Sequence, residues 1–144
     1  MGDLLGMPEW LAIVVWTVIV LVTVLAYGNY SIRKTHKLLA KRRPNPTREQ
    51  FIKLLAPDVD GDVASWLWDT TCPYYQPLTP HPEDHLIKDA RIDDDDVTMD
   101  WLPTFAKSRQ LNWKDWPDWP KGWELTVRNF ARWLQLGVDA LRQA

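Results

Sequence analysis

Side chains that could bind a metal ion or transfer protons gather between His81 and His85. The two histidines flank a Pro-Glu-Asp sequence, and Cys72 lies nine residues upstream. Histidines four residues apart bind one ion well on a helix, but the proline between them argues against a helix. A second cysteine at zinc-site spacing is also missing. We therefore interpret this segment as a loop that caps the following element, and we expect no metal there.

The sequence gives equally little evidence for a catalytic nucleophile. Ser31, Ser65 and Ser108 lie outside any glycine-flanked elbow, and the chain has no glycine-rich phosphate loop. Cys72 could pair with a histidine, but any chain with one cysteine and three histidines allows that pairing. We expect a protein that is not an enzyme and that holds no cofactor.

Asp58, Asp60 and Asp62 alternate along the chain, as carboxylates do at the start of a calcium-binding loop. The pattern fails at two positions that such a loop requires. The sixth position holds Val63 where glycine is needed, and the twelfth holds Asp69 where a bidentate glutamate is needed. We interpret this stretch as a turn without calcium.

Five carboxylates, which we call the acidic turn, form the strongest candidate site. Carboxylates at a helix N-terminus accept hydrogen bonds from unpaired N–H groups and face the positive end of the helix dipole. One cap needs only one or two of them, so a divalent cation or a basic partner protein are alternatives for the rest. We predict a helix N-terminus that also binds a partner with a basic surface, through Asp93, Asp94, Asp95, Asp96 and Asp100.

The Trp-rich segment, residues 111–123, is the second candidate surface in a chain with ten tryptophans. Trp113, Trp116 and Trp119 recur at every third position among prolines, so in a polyproline II conformation they would line one face. Core packing is the first interpretation, because a small domain needs the apolar area that tryptophan buries. An exposed face for a partner or for lipid is the alternative, and we include the three tryptophans among the candidate partner-binding residues.

These candidates depend on an N-terminal anchor. Residues 10–30 contain no charged side chain, and at about 1.5 Å per residue a helix of that length spans roughly 30 Å, the hydrocarbon thickness of a bilayer. Acidic residues precede this run and six Lys or Arg residues follow it, so we expect the N-terminus outside and the rest in the cytoplasm. A cleaved signal is the alternative, but the preceding residues are acidic where a signal needs basic ones. The candidate anchor residues are Trp10, Trp16, Tyr27, Tyr30, Arg33, Lys34 and Lys37.

Charge is distributed unevenly between the N-terminal part of the chain and the rest. From Pro44 onward 17 acidic and 11 basic residues give a net charge of −6, which disfavours nucleic acid and suits a basic partner. The basic segment itself, next to the apolar run, is interpreted as a topology signal attracted to anionic lipid, with nucleic acid as the alternative. A single cysteine fits a reducing compartment. We expect a tail and membrane helix over residues 1–30, a basic stalk over 31–46 and a cytosolic helical domain over 47–144.

Helical signals dominate the domain. Thr47 and Gln50 have the spacing of a capping box, and Thr126 precedes a final run of helical period. Residues 97–109 are predicted as a helix that Pro103 kinks or begins. Residues 63–69 fit either helix or extended chain, and residues 72–83, with four prolines, are predicted irregular. The expected fold is mostly α, a bundle of three or four helices after the membrane helix.

Residues 86–97 resemble the approach to the second helix of acyl carrier proteins, and they are closer to a bacterial acyl-carrier-protein-like family of unknown function. The matching positions are Leu86, Asp89, Ile92, Asp95 and Asp96. Residues 125–130 are similar to the start of the last carrier helix, and the likeness extends loosely over residues 47–137. The resemblance implies a carrier-like bundle with an acidic second helix that meets a basic partner. It implies no carrier chemistry, because Asp94 stands where carriers have the serine that bears phosphopantetheine.

We therefore expect a non-enzymatic, protein-binding module in the bacterial inner membrane, such as an adaptor or an immunity protein. One alternative is a tethered acyl-carrier-like accessory of lipid metabolism. Another is a small structural subunit of a membrane complex, although the apolar run lacks a GxxxG pair and ionisable groups.

Overall fold

The computed structural model describes residues 8–143, apart from the side chain of Thr98. The chain divides into two compact units, Met1–Leu39 and Ala40–Ala144, so the predicted stalk over residues 31–46 is shared between them. The first seven residues of the tail, which we expect outside the cell, lie outside the described residues. Residues 8–143 are mostly helical, and their one β pairing is an isolated bridge between His85 and Thr126.

The first unit is built on α1 (Glu9–Arg42), a helix of 34 residues that is long and apolar enough to cross a membrane. At about 1.5 Å per residue it extends roughly 50 Å. Two polar side chains within its apolar part bond inside the helix. The hydroxyls of Thr17 and Thr23 donate to carbonyl oxygens four residues earlier, at 2.8 and 2.7 Å. They therefore do not need a partner from outside the helix.

The domain begins with α2 (Arg48–Leu55), and the predicted capping box is confirmed. The Thr47 hydroxyl oxygen accepts from the N–H of Gln50 at 3.3 Å, and the Gln50 amide oxygen accepts from the N–H of Thr47 at 2.9 Å. These two bonds satisfy two N–H groups that the first turn leaves unpaired.

A longer helix, α3 (Gly61–Tyr75), packs on α2. Residues 63–69, which the sequence left open between helix and extended chain, are helical. The prediction of irregular chain from Cys72 is wrong for the residues up to Tyr75. Pro73 lies in the last turn of α3, where its missing N–H removes the one helical hydrogen bond that this position would donate to the carbonyl of Asp69.

The predicted helix over residues 97–109 consists of two segments. A π-helical turn (Asp96–Trp101) leads directly into α4 (Leu102–Ser108). Pro103 is the second residue of α4, immediately after the π-helical turn. It therefore stands at the start of α4, one of the two roles that the sequence allowed, with helical backbone before it from Asp94 onward.

The final helix, α5 (Val127–Gln143), begins where the sequence predicts it. The hydroxyl oxygen of Thr126 accepts from the N–H of Asn129 at 3.2 Å, as an N-cap residue does. α5 packs on α3, and α4 packs on a short 3₁₀ turn, so the four α-helices of the domain share one core. Its largest fully buried side chains are Phe51, Leu55, Leu67, Tyr75, Leu86, Ile92, Phe105, Phe130 and Leu134.

Candidate functional site

The acidic turn begins a helical stretch, as predicted. A carboxylate oxygen of Asp93 accepts from the N–H of Asp95 at 3.3 Å, and the chain is helical from Asp94 onward. Asp93, Asp94, Asp95 and Asp100 are exposed, and Asp96 is half-buried. One carboxylate therefore serves the helix start, and the others add negative charge to the surface.

The π-helical turn adds an apolar side chain to this surface. Met99 is 70% exposed, whereas Val97 and Trp101 on either side of it are buried. The half-exposed ring of Tyr74 from α3 packs edge-on against Trp101, with ring centroids 5.7 Å apart. A flexible, exposed methionine beside several carboxylates suits a partner that combines basic and apolar groups.

The three candidate tryptophans differ in exposure, and Trp113 begins a 3₁₀ turn where a polyproline II segment would have lined the three rings on one face. The side-chain oxygen of Asn112 accepts from the N–H of Lys114 at 3.2 Å, and this bond starts a 3₁₀ turn at Trp113. The turn points the three rings into different surroundings. Trp113 is 45% exposed, Trp116 is buried and Trp119 is half-buried.

Trp116 belongs to the core of the domain. Its indole N–H donates to the carbonyl oxygen of Trp133 at 3.3 Å. Its ring packs edge-on against Phe105 and Trp133, with centroids 5.9 and 6.5 Å away. The ring also fills the space left by the missing side chain of Gly137. A partner could reach Trp116 only if the domain opened.

Trp119 forms part of a second aromatic cluster with Trp123 and Trp133, at centroid distances of 6.1 and 5.4 Å. Its indole N–H donates to the carbonyl oxygen of Trp123 at 3.2 Å, and the indole N–H of Trp133 donates to Pro117 at 2.8 Å. Buried indoles need such partners. These bonds hold the Trp-rich segment onto α5, and of the three candidate tryptophans Trp113 is the exposed one.

Arg43, which the sequence places among the cations after the apolar run, is buried in the domain. Its Nε and Nη2 atoms donate to the two carboxylate oxygens of Asp84, at 2.9 and 2.6 Å, and Nη2 also donates to the Thr79 carbonyl at 2.9 Å. The two side chains are only 9% and 4% exposed. Sequence reasoning missed this ion pair because nothing in the local pattern distinguishes Arg43 from Arg42.

Tyr75 lies beside this ion pair, with its ring centroid 5.9 Å from the Arg43 guanidinium carbon. Burial, and then the negative charge of Asp84, raise the pKa of Tyr75 far above its usual range, so its hydroxyl stays neutral. The side-chain oxygen of Asn45 accepts from both the N–H and the hydroxyl of Thr79, each at 2.7 Å. This polar cluster therefore joins residues 43–46 to residues 79–84.

The three alternating carboxylates of the rejected calcium loop each have a different partner. Asp58 pairs with Arg128, Asp60 accepts from the side chain of Gln135 at 3.2 Å, and Asp62 accepts from Arg109 at 3.1 Å. Asp58 and Asp60 therefore tie the turn before α3 to α5, and Asp62 ties the first turn of α3 to the end of α4. In the described part of the chain, no three His, Cys, Asp or Glu side chains are grouped so that they could hold a metal ion.

The histidines and the cysteine between residues 72 and 85 are partly buried in the domain. The Nδ1 atom of His81 accepts from the N–H of Glu83 at 3.2 Å. Burial lowers the pKa of His81, and the nearby Arg43 adds to that effect while Asp84 opposes it. Burial, followed by the charge of Asp69, raises the pKa of Cys72, so its thiol is a poor nucleophile.

The candidate anchor residues all lie on the surface of α1. The aromatic residues of this set are highly exposed, and so are the three cations that follow them. Exposed apolar side chains surround the helix between them. The set comprises Trp10, Trp16, Tyr27, Tyr30, Arg33, Lys34 and Lys37.

Comparisons of the chain with protein-family models, with curated proteins and with solved structures found no match in any of the three.

Proposed function

We propose that this protein is a membrane-anchored, non-enzymatic protein-binding module, of the adaptor or immunity type, whose partner has a basic surface. The apolar part of α1 would span the bacterial inner membrane. The acidic residues before this run and the cations after it support an outside N-terminus and a cytoplasmic domain. Carbonate washing of membranes and a reporter fused after the last residue test the anchor and its orientation. Extraction by carbonate, or a reporter accessible from outside, contradicts this part.

The observation that carries the binding proposal is the exposure of Met99 among the carboxylates of the acidic turn. The Asp93 carboxylate caps the helix start, and the exposed carboxylates beside it place negative charge on the surface. Together with the net charge of −6 from Pro44 onward, this surface would steer a basic partner and give it an apolar contact. Trp113, the exposed one of the three candidate tryptophans, is a second contact candidate.

A non-enzymatic role is supported by the surroundings of the residues that could do chemistry. The carboxylates of residues 58–62 have partners that hold helices together, and the pKa of Cys72 is raised. The two charges of the Arg43–Asp84 pair neutralise each other inside the domain. The ion pairs among these groups hold separate elements of the fold together.

The binding proposal is tested by capture of partners from host membranes in mild detergent. Asp94, Asp95 and Asp96 are replaced by Asn, while Asp93 is kept because it serves the helix start. The change removes three charges, and a second variant, Met99→Ser, removes the apolar contact. We expect both to reduce capture of the partner. The matched control replaces three other exposed acids, Glu49→Gln, Asp118→Asn and Glu124→Gln, and should leave capture intact.

Equal capture by the wild type and the acidic-turn variant at low salt contradicts electrostatic docking. Loss of capture in the control as well points to net charge alone, which also contradicts a defined surface. Circular dichroism of each variant establishes that the helices persist.

A tethered acyl-carrier-like accessory is the second candidate, and one observation favours it. The helical stretch starts at Asp94, the position at which the resemblance to acyl carrier proteins puts the phosphopantetheine serine. A carboxylate cannot accept that group, so this candidate keeps a carrier-like bundle without carrier chemistry. The intact mass of protein purified from its host tests it. A phosphopantetheine or acyl adduct on another residue would favour the accessory over the adaptor.

A further inference from the structure

A set of aromatic and cationic side chains shares one face of α1. At about 100° per residue, five side chains fall within roughly 120° of the helix circumference. They are Tyr27, Tyr30, Arg33, Lys34 and Lys37. The two tyrosines are 73% and 65% exposed, and the three cations are exposed as well. We call these five residues the cationic face.

The cationic face begins where the uncharged run ends. Tyr30 stands three residues before Arg33, the first charged residue after the apolar run, and all three cations lie within two helical turns of it. Because α1 is one continuous helix from Glu9 to Arg42, the spacing of these side chains is fixed by the helix. A flexible basic linker would attract negative charge without holding its cations in such a pattern.

We propose that the cationic face binds the headgroups of anionic phospholipids. The rings of Tyr27 and Tyr30 suit the boundary between acyl chains and headgroups, where amphipathic aromatic side chains concentrate. The guanidinium of Arg33 can donate two parallel hydrogen bonds to one phosphate, and the ammonium groups of Lys34 and Lys37 add charge. Each cation near an anionic membrane surface strengthens association roughly fivefold.

Lipid is the occupant that the position favours. The proposal rests on the membrane anchorage proposed above, because only an inserted helix brings these residues to headgroup depth. Nucleic acid is a poor alternative, because the three cations directly follow the apolar run and lie at headgroup depth when the helix is inserted. An anionic lipid meets the three cations in the plane of the membrane.

The test uses the full chain in phosphatidylcholine vesicles and compares spin-labelled phosphatidylglycerol with spin-labelled phosphatidylcholine. We expect the wild type to immobilise the anionic probe several-fold more strongly than the neutral one. The triple variant Arg33→Gln, Lys34→Gln and Lys37→Gln should bring this preference close to unity. The control removes three exposed cations from the domain, Lys107→Gln, Lys114→Gln and Lys121→Gln, and should keep it.

A second variant separates a defined face from simple attraction. Moving the charge of Lys37 to position 35 (T35K and K37T) preserves the net charge but spreads the three cations over about 200° of the helix circumference. We expect this variant to lose most of the lipid preference. Full preference in this variant, or in the triple variant, overturns the proposal, and so does a wild type without preference. If the chain does not remain in the vesicles at all, the proposed anchorage fails as well.

Discussion

A Cβ atom on Gly137 would lie 1.9 Å from Cε2 of Trp116 and 2.3 Å from two further atoms of the same indole. Gly137 is therefore the residue of α5 that makes room for this ring in the core. Glycine within a helix costs roughly 0.5–1 kcal/mol relative to alanine. The buried area and the hydrogen bond of Trp116 offset that cost.

We predict that Gly137→Ala destabilises the domain, although alanine is the better helix former. The added methyl group must displace an indole that Phe105 and Trp133 hold from other sides. Overpacking of this kind costs about 1–3 kcal/mol. Urea unfolding of the full chain in detergent, followed by circular dichroism, measures the change.

The control is Gly61→Ala, at the first residue of α3, where an added Cβ would lie 3.9 Å from the nearest atom. It should be close to neutral. A smaller residue at position 116, as in Trp116→Leu, should remove most of the extra cost of Gly137→Ala in a double-mutant cycle. If the two substitutions are simply additive, the close approach is not the cause.

Local patterns in the sequence predicted the helix boundaries that depend on local bonds. Thr47 and Gln50 are three residues apart, and Thr126 bonds to Asn129 at the same spacing, so the residues that start α2 and α5 could be recognised. The extent of α3 could not be predicted, because the contacts with α2 and α5 allow the helix to continue through Pro73. Local propensity is overridden there by packing.

The candidate site was predictable in its charges and not in its aromatic residues. The exposure of the acidic turn follows from its composition, since carboxylates are rarely buried without partners. The burial of Trp116 depends on Gly137, twenty-one residues away, and that of Arg43 depends on Asp84. Neither pairing leaves a periodic signal in the chain.

A second prediction concerns the end of α4. Gln110 has a φ of +58°, and the N–H groups of Gln110 and Leu111 donate to the carbonyls of Lys107 and Ala106, at 3.1 and 3.0 Å. This is a Schellman motif with glutamine at the position where glycine is usual. We expect Gln110→Gly to stabilise the domain by up to about 1 kcal/mol, because the left-handed conformation costs other residues roughly 1–2 kcal/mol. Gln110→Ala keeps that cost and serves as the control in thermal unfolding; equal effects of the two would contradict this account.

A third prediction concerns the ion pair between Arg43 and Asp84. Arg43→Met leaves a carboxylate buried with one cation fewer, and breaking a buried pair in this way costs about 3–5 kcal/mol. The matched control, Arg42→Met, changes an exposed arginine and should lie within about 0.5 kcal/mol of the wild type. Denaturant midpoints give both values. If Arg42→Met is as harmful as Arg43→Met, charge near the membrane helix is the cause and not the pair with Asp84.

The pH dependence of stability should carry a contribution from His81. Its pKa in the folded domain lies below the ordinary value of 6.5, first because of burial and then because Arg43 is near. The His81 side chain therefore binds a proton more readily in the unfolded chain than in the folded one. Its contribution to the free energy of unfolding is fully present above pH 6.5 and is lost as the pH falls toward the folded pKa. His81→Asn offers an oxygen in place of Nδ1 to the N–H of Glu83 and does not titrate, so it should flatten this part of the profile and match the wild-type slope above pH 7.5. NMR titration of His81 in the folded chain checks the cause directly: a midpoint above 6.5 would reverse the sign and refute the prediction.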